Sequence, residues 1–488
     1  MRLALALVAL ALGCGSRPVR VGSKAFTEAV ILGEVAAGAC GAAGARVEHR
    51  RQLGGTAVLW RALLSGDIDV YAEYTGTLAA ELLPGVGARG LPAMRRALAA
   101  RGVAMTEPLG FENTYALGMT EARAESLGVR TISDLAAHPT LPMGFSHEFI
   151  DRADGWGGLR ARYGLPQTQV RGVDHDLAYR ALASGAIAVT DLYTTDAEIA
   201  WRHLRVLRDD RGYFPEYRAV ILYRSDLRAR APACARALDA LGGTLDAPTM
   251  IALNGEVKLH RRSESAVASR WLDERGVLHA ATQRDSVASR VWSRTREHLA
   301  LVLASLLAAL LCAVPLGVAA ARRPRLGAAV LGVAGVLQTV PSLALLVLLI
   351  PLLGIGAKPA VAALFLYSLL PIVQGTVSGL RGIAPSLRES ALALGLPPWA
   401  RLRLVELPLA LPSILAGVKT AAVINVGTAT LGAMVGAGGY GQPILRGIRL
   451  DSTATLMEGA LPAAALAVLT QWLFGLIERR AVSRGLRG

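Results

Sequence analysis

The chain has 488 residues, 53% of them hydrophobic and 18% charged, and its formal net charge of +15 comes almost entirely from arginine. That length allows two or three domains, and that apolar content excludes an ordinary large soluble protein. Residues 17–298 are mixed and charge-rich while 299–478 are uncharged runs joined by short basic loops, so the basic balance follows membrane topology rather than a nucleic-acid partner.

Leu3 to Leu12 form an apolar stretch behind a lone Arg2. It is too short to cross a bilayer and suits the core of an export signal. It ends in Ala11-Leu12-Gly13-Cys14-Gly15-Ser16, which resembles a lipoprotein signal with Cys14 as the lipidated residue, although Ala11 stands where Leu is preferred. Residues 1–16 are therefore read as a signal or lipoprotein segment that sends the next domain out of the cytoplasm. Of the other cysteines, Cys40 and Cys234 are free to pair in an oxidising compartment or to stay as separate buried thiols. Cys312 lies inside an apolar run.

From Pro18 to about 282, short β-rich runs alternate with helical ones, the pattern of an α/β fold large enough for two lobes and a cleft. Arg20-Val21-Gly22-Ser23-Lys24 leads into a helix from about Thr27 to Gly38, capped by Thr27. Thr56 to Ser65 reads as a helix, and Asp69 to Ala72 as a strand running into Tyr74-Thr75-Gly76-Thr77. The histidines show no paired ligand spacing, and no Ser/His/Asp set has a local signature, so neither catalysis nor a metal or cofactor is expected.

The segments VGSKAFTEAVILGE, LGGTAVLWRALLSGDIDVYAEYTGT, VTDLYTTDAEI and MIALNGEV, in that order, resemble the substrate-binding proteins of glycine betaine, choline and carnitine importers. The resemblance implies a type II periplasmic-binding-protein-like domain over 17–282, with lobe one at 18–108 and 221–282 and lobe two at 109–220. A quaternary ammonium cannot donate hydrogen bonds and is held by the electron-rich faces of aromatic rings. Matched to the family's motifs, Tyr74, Tyr115, Tyr193 and Tyr217 are the cage candidates, and Asn113 offers a polar contact where some relatives have Asp. Lys24, Thr77 and Arg152 match positions that meet a betaine's carboxylate. Phe149 and Tyr213 are weaker lining candidates; Trp60, Trp156, Trp201 and Phe145 read as packing residues.

Residues 283–298 are polar and read as a linker. Uncharged runs follow at Leu299–Ala321, Leu326–Ala357 (broken by Gln338-Thr339-Val340-Pro341-Ser342, where it kinks or ends), Pro359–Leu380, Thr420–Leu445 and Gly459–Ile477, each long enough for the roughly 20 residues that a helical span needs. Arg322, Arg323 and Arg325, the loop after the third run, and the basic tail at 481–488 fall on one side of such a five-span domain, which the positive-inside rule makes cytoplasmic. The domain at 17–282 then lies outside. Lys419 can snorkel to the interface.

Between the third and fourth runs lies ESALALGLPPWARLRLVELP, Glu389 to Pro408. Glu389, Ala391, Gly395, Leu407 and Pro408 match the coupling loop of bacterial ABC importer permeases, where a short helix, a glycine turn and a second helix dock on the ATPase. Val405 replaces the usual Ile and Ser390 an Ala. LQTVPSLALL, LYSLLPI and the glycine-rich Gly436–Gly441 are similar to these permeases too. The resemblance implies an all-α, MetI/type I-like domain over 299–480 in a bacterial inner membrane, working as a homodimer. None of the four lysines follows a glycine, so no phosphate-binding P-loop is legible, and a separate ATPase is the expected partner. The whole implies an ATP-driven importer of a quaternary amine rather than an enzyme. Ergothioneine or another trimethylated zwitterion remains an alternative ligand, and a ligand-sensing receptor an alternative of another class.

Overall fold

The strands, in chain order, are β1 Val19–Gly22, β2 Val47–Arg50, β3 Val70–Tyr74, β4 Val103–Met105, β5 Tyr115–Thr120, β6 Met143–Ser146, β7 Val170–Val173, β8 Thr190–Tyr193, β9 Leu204–Leu207 and β10 Ala219–Arg224. The computed structural model describes residues 17–84, 90–277, 287–450 and 452–481. Cys14, the rest of the signal segment, residues 283–286 and the tail from 482 lie outside them. The chain divides into two compact units at residues 283 and 284.

In the first unit one sheet runs β2-β1-β3-β10-β4. β1 pairs in parallel with β2 and β3, and β10 is antiparallel to both of its neighbours because it returns from the other lobe. β1, β3 and most of β10 are buried, as expected of strands covered by helices on both faces. The covering helices of this lobe are α1 Thr27–Ala42 and α2 Thr56–Ser65. Thr27 lies inside α1, not at its cap, and α1 runs past Gly38. That glycine is a close contact rather than a stop, since a Cβ there would sit 2.5 Å from Leu272 Cδ1.

The other lobe holds the sheet β8-β5-β9 and the parallel pair β6-β7, joined by a bridge between Met143 and Val189. Its helices include α3 Trp156–Tyr163 and α4 His175–Ala183. After β10 the chain adds α5 Pro232–Asp239, α6 Ala247–Lys258 and α7 Glu264–Asp273 to the first lobe. β10 starts at Ala219, two residues before the lobe boundary read from sequence. A disulfide joins Cys40 on α1 to Cys234 on α5.

The second unit is helical: α8 Val287–Arg322, α9 Pro324–Thr339, α10 Ser342–Leu353, α11 Ala357–Arg381, α12 Pro385–Ala393, α13 Leu407–Thr428, α14 Gly441–Arg449 and α15 Thr453–Ala481. One expectation needs correction. Residues 287–298 are not a connector but the first turns of α8, because no Gly or Pro interrupts the chain before Pro315. These turns pack on the glycine-rich loop and on α13: Gly439 N–H donates to Glu297 at 2.8 Å, and His298 Nε2 bonds the α13 carbonyl of Val426 at 2.9 Å. A side chain at Gly438, whose φ is +86°, would meet Glu297 within 2.6 Å.

Among the described residues, four helical stretches are long and apolar enough to cross a membrane, and the expected second span is a helix pair, α9 and α10, bent by 100°. Pro341 has no N–H to continue the helix and drives Val340 to an extended conformation. The freed Val340 carbonyl accepts a hydrogen bond from the Tyr367 hydroxyl, the kind of repair a break at membrane depth requires. Five passes hold only if that pair is one span.

α11 and α13 approach closely. A Cβ at Gly417 would lie 2.3 Å from the Pro371 carbonyl, and one at Gly375 2.5 Å from the Ser413 carbonyl, the small-residue packing typical of membrane helices. Asn425 on α13 donates to Ser305 on α8 and Ser368 on α11 at 3.1 and 2.8 Å.

Candidate ligand-binding site

Strand ends place the four candidate tyrosines. β3 stops at Tyr74, β5 opens with Tyr115, β8 closes with Tyr193, and Tyr217 precedes β10. Antiparallel pairing sets Tyr115 directly opposite Tyr193, where cross-strand side chains lie close together. Their ring centroids are 5.1 Å apart, and Tyr217 meets Tyr115 edge-on at 5.7 Å. Phe26, just before α1, links the lobes by lying 6.4 Å from Tyr74 and 5.5 Å from Tyr193. Phe149 and Phe214 extend the group on the Tyr115 side. All four tyrosines thus belong to one buried aromatic cluster. Tyr213 touches Phe214 but none of the four, and Trp201 faces solvent.

The cationic candidates already have partners. Lys24 Nζ lies 2.5 Å from Glu73 Oε1 and donates to Thr56 Oγ1 at 2.9 Å. Arg152 makes two 2.7 Å bonds to Asp154 through Nε and Nη2. Its Nη1 reaches only Thr77 Oγ1 at 3.4 Å and Glu148 at 3.7 Å. The guanidinium sits 5.4 Å from the Tyr115 ring centre and 6.0 Å from that of Tyr217, whose hydroxyl donates to Asp154. Thr77 and Arg152 are therefore together, with one guanidinium nitrogen weakly engaged, whereas Lys24 is held apart by its own acid.

Asn113 donates to Glu28 Oε1 at 2.9 Å. Glu28 is the centre that the sequence reading missed. It also accepts from Tyr74 at 2.6 Å, Thr195 at 2.5 Å and Asn254 at 3.0 Å, contacts that span both lobes. Burial raises its carboxyl pKa despite those donors. It was hidden because an acid in the first turn of a helix reads as a complement to the helix dipole. A small cleft opens beside it, lined by Phe26, Asn113, Tyr193, Asn254, His175 and Lys258 among others. His175 was missed for a like reason: a lone histidine after the capping Asp174 reads as helix surface.

Residues 17–274 match the family described as the substrate binding domain of the ABC-type glycine betaine transport system, and residues 313–483 match the binding-protein-dependent transport system inner membrane component. The glycine betaine/carnitine/choline transport system permease protein OpuCB of Bacillus subtilis (strain 168) is 41% identical over 195 residues, 40% of this chain and 90% of the relative. The osmoprotectant import permease protein OsmW of Salmonella typhimurium is 44% identical over 200 residues, 40% of this chain and 93% of the relative. A crystal structure described as a glycine betaine/carnitine/choline ABC transporter is 25% identical, with 53% of this chain and 99% of that one covered and a TM-score of 0.45.

Proposed function

The chain belongs to the ABC-type glycine betaine transport family, with the substrate-binding domain and the inner-membrane component in one polypeptide, and from that premise we propose how its residues take up a ligand. It is a membrane transport subunit, an importer permease of the betaine/choline/carnitine class with a fused substrate-binding domain. We assign the cage to Tyr74, Tyr115, Tyr193 and Tyr217, with Phe26 and Phe149 closing its sides. The observation that carries this assignment is the single aromatic cluster that these rings form across the two lobes. Arg152 and Thr77 take the carboxylate of a zwitterion through the weakly engaged Nη1. Lys24 acts at longer range, since Glu73 already occupies its ammonium. Asn113 sets the edge of the cage through Glu28.

The binding domain stands outside the cell, and the Cys40–Cys234 disulfide suits that oxidising compartment. Closing of the lobes captures the ligand, and the closed domain delivers it to its own permease. Tethering replaces a bimolecular encounter with an effective concentration on the order of millimolar. A separate ATPase docks on the loop from Glu389 to Pro408. There Leu392, Leu394, Trp399 and Leu404 are exposed, although they are large and apolar, as at a surface awaiting a partner. Two chains pair through their permease domains.

Calorimetric titration of the full chain in detergent with glycine betaine, carnitine and choline tests the assignment. The double variant Y74A/Y193A should lose measurable binding to all three; affinity retained within threefold refutes the cage.

A further inference from the structure

We propose that Lys258 is a positioning residue: it latches the two lobes together through an ion-pair network that adjoins the aromatic cage. The inference rests on the reading that ligand is held between the lobes. α6 is a helix of the first lobe, packed on α1 and α7. Its last residue, Lys258, has a side chain only 8% exposed, and its ammonium sits among carboxylates of the opposite lobe. Nζ is 2.8 Å from Asp176 Oδ1, 2.9 Å from Glu198 Oε1 and 3.9 Å from Asp196 Oδ1. A compact ammonium with three rotatable donors suits three converging acids better than a planar guanidinium does, and this chain otherwise relies on arginine.

The geometry makes the contact conditional on closure. Buried charges of opposite sign satisfy one another only while the lobes touch; when the lobes part, water must replace every one of these bonds. One turn earlier on the same face of α6, Asn254 donates to the Thr195 carbonyl of the second lobe at 3.0 Å. The network also reaches the cage. Asp196 Oδ2 accepts from the Tyr193 backbone N–H at 2.9 Å and bonds His175 Nε2 at 3.0 Å, and the His175 ring stacks on that of Tyr193. One carboxylate therefore senses the first lobe's lysine while it fixes a cage wall. Closing the lobes and setting the wall are one event, so the latch governs how fast ligand leaves more than how fast it arrives.

The test is interlobe fluorescence energy transfer on the full chain in nanodiscs, with dyes on unnatural amino acids introduced at the solvent-facing Ala99 and Ala161. Without ligand, K258M should move the distance distribution toward longer values, and the glycine betaine dissociation rate should rise at least tenfold with the association rate unchanged. A ligand-free distribution and a dissociation rate equal to those of the parent protein overturn the latch. If K258M does not fold, D176N/E198Q, which leaves Lys258 facing only Asp196, has the same expected and overturning results. The ligand-free distance needs no knowledge of what the cage binds, so failure of the latch and failure of the betaine reading are told apart.

Discussion

His175 lies nearly face to face with Tyr193, their ring centroids 4.2 Å apart and their planes 29° from parallel. Burial alone would push the imidazole toward neutrality, but Asp196 and Asp191 outweigh it and hold its pKa well above the ordinary value. Those carboxylates favour the charged ring, which stacks on one face of a proposed cage tyrosine. A group whose folded pKa is raised contributes stability that is fully present below its unfolded value, about 6.5, and is lost as pH rises through the folded value. H175Q should lower the melting temperature of the binding domain by a few °C or more near pH 6, and the deficit should shrink steadily in alkali. Thermal melts from pH 6 to 10 measure this; a deficit independent of pH would show that only packing was lost.

Arg152 should separate zwitterions from bare cations. Its Nε and Nη2 are taken by Asp154, so in the proposed site a ligand carboxylate would compete only for Nη1 beside Thr77. Losing a charge-assisted bond costs about 1.5–3 kcal/mol, or roughly 10- to 150-fold in affinity. R152Q should weaken glycine betaine and carnitine by that factor and choline by less than threefold, as read by calorimetry. Equal losses for all three ligands would place the carboxylate elsewhere.

The Cys40–Cys234 disulfide ties the first helix of the domain to one that arrives after the chain has crossed both lobes, a sequence separation of 194 residues. Closing so long a loop constrains the unfolded chain strongly, and engineered losses of such links typically cost about 2–4 kcal/mol. C40S/C234S should melt roughly 4–16 °C lower than the parent while keeping its ligand affinity. Reductant applied to the parent protein should reproduce the shift.

Much of this was legible in the sequence, for identifiable reasons. Tyr74, Tyr115, Tyr193 and Tyr217 sit in short motifs beside strand ends, and uncharged runs announce membrane helices through composition alone. What escaped was long-range or ambiguous. Glu28 meets Asn254 across 226 positions, and Lys258 faces Asp176 across the cleft; a charged residue with a distant partner looks like any solvated one. Residues 287–298 read as part of a connector because a polar helix and a polar linker share a composition. The break at Pro341 was visible, but its 100° angle depends on how α9 and α10 pack.

The loop between α11 and α13 can be uncoupled from ligand capture. α12 ends before Gly395, whose φ of +71° suits glycine alone in that turn, and the chain then runs helically from Pro398 to Val435. The turn thus aims a short helix and the foot of a membrane span at the same side. Glu406 ties that foot to α8 by pairing with Arg322 at 3.2 Å and with Arg401 at 3.1 Å, so a push on the loop reaches two membrane helices. Leu394 is 78% and Trp399 68% exposed, a costly arrangement unless a partner covers them. L394S/W399S should leave glycine betaine affinity within twofold of the parent and reduce ATP-driven uptake in proteoliposomes containing the ATPase by at least tenfold. G395V should do the same through backbone strain of about 1–2 kcal/mol at the turn. Uptake at the parental rate in both variants would mean that the proposed ATPase partner does not dock on this loop.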